Sequence, residues 1–375
     1  MTPLFSEFQH QVSQTTNPAD WPLAQQVDQN VLIYNGDTIR ELPPAKRSSL
    51  MHEWAKVLAS GPGVIAIRNA FADTAVIDTA TRVFESIIER EKSSVAGGGA
   101  DHFAKRGAND RIWNALQKHC LADPANYTAY YSNEILDAVS RAWLGDGYKT
   151  TAQVNRVNPG GAAQTAHRDY HLGFMSRQRM AEFPEHIHRL SPVLTLQGAV
   201  AHCDMPVETG PTLYLPYSQL FTSGYTHFNE PKYQDYFNQH HSQLPLEKGD
   251  AVFFNPAVMH AAGSNITSDM RRTANLLQIS SAFGRAMEAI DHISMVKTIY
   301  PIICKNNSLS AQQITAVISA TADGYAFPTN LDTDPPDNGM SPETQADLFT
   351  RALSQAWSTE QFYQAVDAQA AKRLA

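Results

Sequence analysis

Two short segments of this chain carry side chains that could hold a metal ion. The first, QTAHRDYHLGF, places His167 and Asp169 two residues apart. In an extended strand residues i and i+2 point to the same face, so an imidazole and a carboxylate would converge on one point. Such a pair arises often by chance and says little alone. The second, LEKGDAVFFNPAVMHAAGSNITSDMRRTANLLQIS, reads as one strand ending at His260 and another beginning at Arg271. A lone histidine closing an apolar strand is more often a packed core residue than a ligand. The two segments together say more, because the chain between them is long enough for strands to return His260 beside the first pair. Two histidines and one carboxylate on one side of a metal leave its other side open, the facial arrangement of non-haem Fe(II) oxygenases. His167, Asp169 and His260 are therefore the expected metal ligands and catalytic centre.

Arg271 adds what a metal alone does not require. A fixed guanidinium can take a carboxylate through two parallel charge-assisted hydrogen bonds, and 2-oxoglutarate offers one at C5. Arg272, on the opposite face of the same strand, is expected to be a surface charge. Gln153 and Asn155 share one face of the strand KTTAQVNRVN and are candidates to hydrogen-bond this co-substrate. Ser264 and Asn265, just after His260, could touch it too, although Asn265 serves equally well to make a turn. Substrate contacts are expected from loops at the mouth of a rigid scaffold. Arg106, Asn109, Arg111 and Trp113 in a glycine-rich stretch, with Tyr170 and His171 after the metal pair, are the candidates, and as a group they suggest a polar small molecule.

The elements that must position these groups can be read from periodicity. Residues 1–60 look mostly helical, with Leu50, Trp54 and Leu58 four apart on one helical face. GVIAIRNAF reads as a strand, followed by a helix over TAVIDTATRVFESIIEREKSS. Residues 97–114 read as a long loop. From about residue 148 short strands follow one another, separated by Gly, Pro, Asn or Asp, which argues for an antiparallel barrel or sandwich. Helical periodicity returns from 284, broken by NLDTDPPDNG.

These residues resemble the phytanoyl-CoA dioxygenase-like branch of the Fe(II)/2-oxoglutarate oxygenases. The likeness rests on the H-x-D at His167 and Asp169, on ETGPTLYLPYSQL set against an Asn-Gly-Pro-Leu…Pro-Gly-Ser-His turn, and on GDAVFFNPAVMHAAGSN followed by Arg271. It runs from about 62 to 282. One departure is visible, since Pro216-Tyr217-Ser218-Gln219 lacks the glycine and the histidine of that turn. The resemblance implies a mainly β core with α decoration, a double-stranded β-helix of the jelly-roll or cupin-like kind. It also implies Fe(II), 2-oxoglutarate and O₂ as cofactor and co-substrates, decarboxylation to succinate, and removal of hydrogen from the substrate, most simply to hydroxylate it.

The expected organisation is a single catalytic domain over 1–375. It comprises a helical N-terminal extension over 1–61, the core with supporting helices over 62–282 and a helical C-terminal region over 283–375. The net charge of −8 gives no basic field to attract nucleic acid. No stretch approaches the ~18 apolar residues of a membrane span, and the amino terminus lacks a secretory signal, so a cytoplasmic enzyme is expected. Cys120, Cys203 and Cys304 are odd in number and widely spaced, which fits reduced thiols. Two other readings remain: a metal-dependent barrel enzyme that does not use 2-oxoglutarate, and an inactive binding module on the same scaffold.

Overall fold

The computed structural model describes residues 3–93 and 107–374. Eleven strands form among these residues: Gln26–Asp28 (β1), Val31–Asn35 (β2), Val64–Arg68 (β3), Asn109–Ile112 (β4), Lys149–Val157 (β5), Thr195–Ala201 (β6), Leu213–Leu215 (β7), Ser242–Gln243 (β8), Ala251–Phe254 (β9), Met259–Ala261 (β10) and Arg272–Ser280 (β11). Eight of them make one sheet in the order β1-β2-β3-β9-β6-β11-β5-β4, and three make a second in the order β10-β7-β8. Only β2 and β3 pair in parallel; the other ladders are antiparallel.

Strand alternation sorts the side chains of the large sheet into two environments. Ile65 and Ile67 of β3, with Leu277 and Ile279 of β11, join Trp54, Phe84, Val139 and Ile299 in one apolar cluster under the helices. Val64 and Ala66 point the other way, into a second cluster with Tyr214 and Phe254. Helices thus cover one face, and the smaller sheet lies over the other. The helix Pro44–Ser60 buries Leu50, Trp54, Val57 and Leu58, the face that the sequence spacing picks out. The C-terminal region is helical as expected, over His292–Lys305, Ala311–Thr321, Gln345–Ser354 and Thr359–Arg373. Three of these start with a hydroxyl residue reciprocally bonded to a Gln or Asp three positions on: Ser310 with Gln313, Thr344 with Asp347 and Ser358 with Gln361. Among the described residues no helix is long and apolar enough to cross a membrane.

Three expectations need correction. The first sixty residues are helical over Pro3–Val12, Gly36–Arg40 and Pro44–Ser60, but they are not a purely helical extension: VLIYN is β2, an interior strand of the large sheet, and its β-branched and aromatic run is the signal the helical reading passed over. Residues 109–112 are not loop but the edge strand β4, whose charged Asp110 and Arg111 mask the strand pattern. His167 and Asp169 lie in irregular chain with one isolated bridge, not in a strand.

If β2 belongs to the core, trimming it must be felt. Leu32 is fully buried and pairs with Ile65. Leu32→Ala should lower unfolding free energy by about 2–5 kcal/mol, as for other buried leucines, measured by urea denaturation. A loss under about 0.5 kcal/mol, the scale of a surface change, would place β2 outside the core.

Candidate metal centre and its cavity

His260 sits in the middle of β10, and the segment carrying His167 is laid against it by a two-way backbone exchange. His167 N–H donates to the His260 carbonyl at 2.9 Å and His260 N–H to the His167 carbonyl at 3.0 Å. Residues facing each other across such a pair have side chains on the same side, and the two imidazole centroids are 4.5 Å apart. Each ring is oriented from behind: Nδ1 of His167 donates to the Thr165 carbonyl at 2.8 Å and Nδ1 of His260 to the Val258 carbonyl at 2.9 Å. A carbonyl only accepts, so the proton is on Nδ1 and the Nε2 lone pair of each ring is free to bind a metal. Asp169 lies between them, with Oδ1 3.6 Å from His167 Nε2 and Oδ2 3.5 Å from His260 Nε2. The three ligand atoms lie within 4.8 Å of one another.

The local electrostatics favour the ligating form of two of these groups. Burial alone would raise the Asp169 carboxyl, but the His260 hydrogen bond, the two imidazoles and the Gln197 amide hold it far below the usual carboxylate range. Burial, and then the neighbouring His260, push the His167 imidazole below its ordinary value. An ionised carboxylate and a neutral imidazole are what a divalent ion binds. Gln197 Nε2 donates directly to Asp169 Oδ2, and it lies 3.4 Å from the Oε1 of Gln278 on the facing strand.

Arg168, between His167 and Asp169 in sequence, turns the other way. It is 1% exposed, and its guanidinium donates to the carbonyls of Ser218 and Phe221 and lies 5.4 Å from the Tyr225 ring centre. Tyr225 in turn donates its hydroxyl to the Asp169 carbonyl at 3.0 Å. Ser218 Oγ accepts the N–H of Met259, beside His260, at 2.7 Å. One turn, 218–225, therefore ties down both ligand-bearing segments. Gly224 is required there, because a Cβ would run into the Arg168 guanidinium.

The three ligands open into a cavity of about 630 Å³ between the sheets. It brings together Gln153, Asn155, Arg111 and Trp113 from the sequence-derived set. The other expected contacts fall elsewhere. Arg271 is exposed and does not line the cavity, whereas Arg272 is 6% exposed and does. The reason is strand parity. Arg272, Ala274, Leu276 and Gln278 face the cavity, while Asn275 points away to the hydroxyls of Tyr130 and Tyr131 at 3.2 and 3.3 Å. Arg271 has the outward parity. Ser264 is exposed and accepts the Ala163 N–H at 2.9 Å, so it joins two loops and leaves the cavity untouched. Asn265 makes a turn, donating to the Val157 and Met270 carbonyls.

Asn109 lies at the start of the edge strand β4 and does not line the cavity. Tyr170 and His171 are also outside it; both have positive φ, 66° and 39°, in the reversal that follows Asp169. Tyr170 is buried, and exposed His171 sits 3.2 Å from Ser191 Oγ. Arg106 lies outside the described residues. Sequence reasoning missed Gln197, Gln278, Arg272, Tyr214 and Glu288. A signal for two of them existed: Gln197 and Gln278 are amides set within short apolar runs, LQGAVA and LLQI, and they pair directly across the sheet.

Arg272 is the most demanding of these. Its Nη1 is buried with no hydrogen-bond partner, and no carboxylate among the described residues lies at ion-pair distance. Burial pushes its pKa down to about 10, partly offset by Cys203 and Tyr214, which still leaves it charged at neutral pH. A buried cation in this state fits an anionic ligand.

The chain resembles known proteins in sequence, and several solved structures align with part of it. The sequence profile of the phytanoyl-CoA dioxygenase (PhyH) family matches residues 60–273. Dioxygenase trt7 of Aspergillus terreus (strain NIH 2624 / FGSC A1156) is 25% identical over 232 residues, 59% of this chain and 71% of that protein. Among solved structures, the non-heme alpha ketoglutarate dependent epimerase SnoN from nogalamycin biosynthesis aligns at 18% identity and TM-score 0.44, covering 64% of this chain and 85% of that one. The carbocyclase SnoK from the same biosynthesis gives 19% and 0.44, covering 65% and 86%. HygX from Streptomyces hygroscopicus, with nickel and 2-oxoglutarate bound, gives 14% and 0.41, covering 61% and 87%.

Gln197 should tune the centre without belonging to it. Gln197→Leu removes the amide that orients Asp169, and metal affinity should fall by roughly 10- to 100-fold, as for other partners of metal ligands. Co(II) titration by calorimetry, with the circular dichroism spectrum unchanged, measures this. Unaltered affinity would mean that the amide does not orient the carboxylate.

Proposed function

The chain belongs to the phytanoyl-CoA dioxygenase (PhyH) family, and on that premise we propose that it is a non-haem Fe(II)- and 2-oxoglutarate-dependent dioxygenase. In this reading it oxidises a small molecule, most simply by hydroxylation, with release of succinate and CO₂. The observation that carries the reading is one cavity holding both a His-Asp-His cluster and a buried arginine that has no counter-ion among the described residues. The donor set suits Fe(II), because two imidazoles and a carboxylate on one side leave positions for a bidentate co-substrate and O₂. Arg272 suits the distal carboxylate of 2-oxoglutarate, which would offset its burial through charge-assisted hydrogen bonds. This assigns to Arg272 the role that sequence spacing gave to Arg271.

The residues of the chain then have separable tasks. His167, Asp169 and His260 hold the metal; Gln197 and the Thr165 and Val258 carbonyls aim them. Arg272, beside Tyr214 and the apolar Met205, Leu246 and Phe254, fixes one end of the co-substrate in surroundings that exclude water. Gln153 and Asn155 line the same cavity from β5 and are further candidates to hold it. Arg111 and Trp113 belong to the substrate side, with the guanidinium 5.0 Å from the indole ring centre. With iron, 2-oxoglutarate and O₂ bound, such a site supplies an oxidant strong enough to remove hydrogen from carbon. The two sheets on either side of the cavity are read as the double-stranded β-helix, and the terminal helices as parts of one catalytic domain.

Purified protein should take up one Fe(II) per chain, and His167→Ala or His260→Ala should abolish turnover with the fold retained, since neither imidazole supports the helix-covered core. Arg272→Leu should raise the KM for 2-oxoglutarate by about a hundredfold or more, on the scale of an unpaired buried charge. Arg271→Leu should leave it within about twofold, as for a surface substitution. Succinate formation against 2-oxoglutarate concentration measures both, and an inverted pair of results would return the role to Arg271.

A further inference from the structure

The 2-oxoglutarate reading leaves one charged group of the cavity without a task. Glu288 lines it, in the chain that follows β11. Its Oε1 accepts the Asn114 N–H at 2.6 Å, while its Oε2 is buried with no hydrogen-bond partner. The nearby cations are engaged elsewhere: Lys118 pairs with Glu91, and Arg111 Nη1 donates to Gln153 Oε1 at 2.9 Å. Burial raises the Glu288 carboxyl, and Asn114, Lys118, the Gln153 amide and Arg111 offset that only in part. Holding Asn114 needs one carbonyl-type oxygen, which glutamine would supply equally well. A second, buried and unsatisfied carboxylate oxygen is a cost without structural return.

We propose that Glu288 is the substrate-recognising acceptor of this cavity, and that the substrate presents to its Oε2 a polar hydrogen, from a hydroxyl or a protonated amine, on an otherwise apolar body. The proposal rests on the oxygenase reading of the site. The apolar body follows from the cavity-lining side chains around Glu288: Met287 beside it in the chain, Trp113 next to the Asn114 it holds, and Leu276, which pairs with Gln153. Position supports a role distinct from that of Arg272. Arg272 begins β11, whereas Gln153 pairs with Leu276 four residues further along, roughly 13 Å at the rise of an extended strand. An acidic acceptor there disfavours a second anion and leaves Arg272 to take the co-substrate.

The test uses the full-length protein loaded with Co(II) and 2-oxoglutarate, with 3-phenylpropan-1-ol, 3-phenylpropylamine, 3-phenylpropanoate and propylbenzene as probes. Paramagnetic broadening of the probe resonances reports binding near the metal, and calorimetry of Co(II) and 2-oxoglutarate is run on every variant. The alcohol or the amine should bind more tightly than the carboxylate and the hydrocarbon. Glu288→Leu should weaken the preferred probe by at least about tenfold, the effect of one hydrogen bond to a charged group. Glu288→Gln separates the two sources: its oxygen keeps Asn114 and an NH2 replaces Oε2, to which an alcohol can turn its own oxygen but a protonated amine has only hydrogens to offer, so the amine should lose far more than the alcohol. No preference in the wild type, or a preference that survives Glu288→Leu, overturns the inference while the oxygenase reading stands. A wild type that takes up neither Co(II) nor 2-oxoglutarate overturns that reading, and the inference with it.

Discussion

The backbone exchange between His167 and His260 is the constraint on which the site depends. The segment around His167 has no strand of its own; it is fastened to β10 by this pair, by Gln164 N–H to the Ala262 carbonyl at 2.9 Å and by Asp169 N–H to the Pro256 carbonyl at 3.1 Å. These bonds set register, and register sets which side chains meet. A slip of one residue would turn His167 away and bring Arg168 or Ala166 to the metal. The ring-to-carbonyl bonds behind each imidazole then fix rotation, so the ligating nitrogens are placed before any ion arrives.

That placement is bought with buried charge. Arg168 is fully enclosed and satisfied mainly by carbonyl oxygens and an aromatic face, an arrangement that stabilises a charge less well than a carboxylate would. Its return is geometric, because the turn it grips also holds Asp169 through Tyr225 and Met259 through Ser218. Tyr217 belongs to the same turn. It takes φ 67°, a conformation that favours glycine, and it is held there by its N–H to the Pro62 carbonyl and its hydroxyl to Thr16 Oγ1 at 2.8 Å. Gln219, where the related turn has histidine, packs instead on Gly63 and donates to the Gly61 carbonyl.

What was legible in the sequence was chemistry carried by residue type and spacing. The H-x-D pair, the distant histidine and the amides of β5 all come to one cavity. What was not legible depended on where strands begin. Arg271 and Arg272 are adjacent and chemically identical, and only the pairing of Arg272 with Val157 decides that the second faces inward. Serine after a metal histidine looks like a ligand-contacting group, yet Ser264 is used by a neighbouring loop. The run VLIYN was hidden by the helical segments on either side of it, and its membership in the sheet comes from a parallel pairing with β3 that no local pattern announces. Gln197 and Gln278 gave a local clue, but their meaning required knowing that they face each other.

The polarity of the cavity follows from the same parity. Along β11 the inward positions run from a cation, Arg272, through Ala274 and Leu276 to an amide, Gln278. Alternating small or apolar residues between two polar ones leaves a smooth wall with fixed groups at separated points, which suits a ligand held by its ends. A uniformly polar wall would have offered many competing hydrogen bonds and no single pose. The outward positions of the same strand, Asn275 and Leu277, are committed to the tyrosine cluster and the helix-covered core. The strand cannot shift to suit a ligand without disrupting that core, so adaptation to different substrates has to come from the residues outside β11 that line the cavity, Trp113, Phe174 and Glu288 among them.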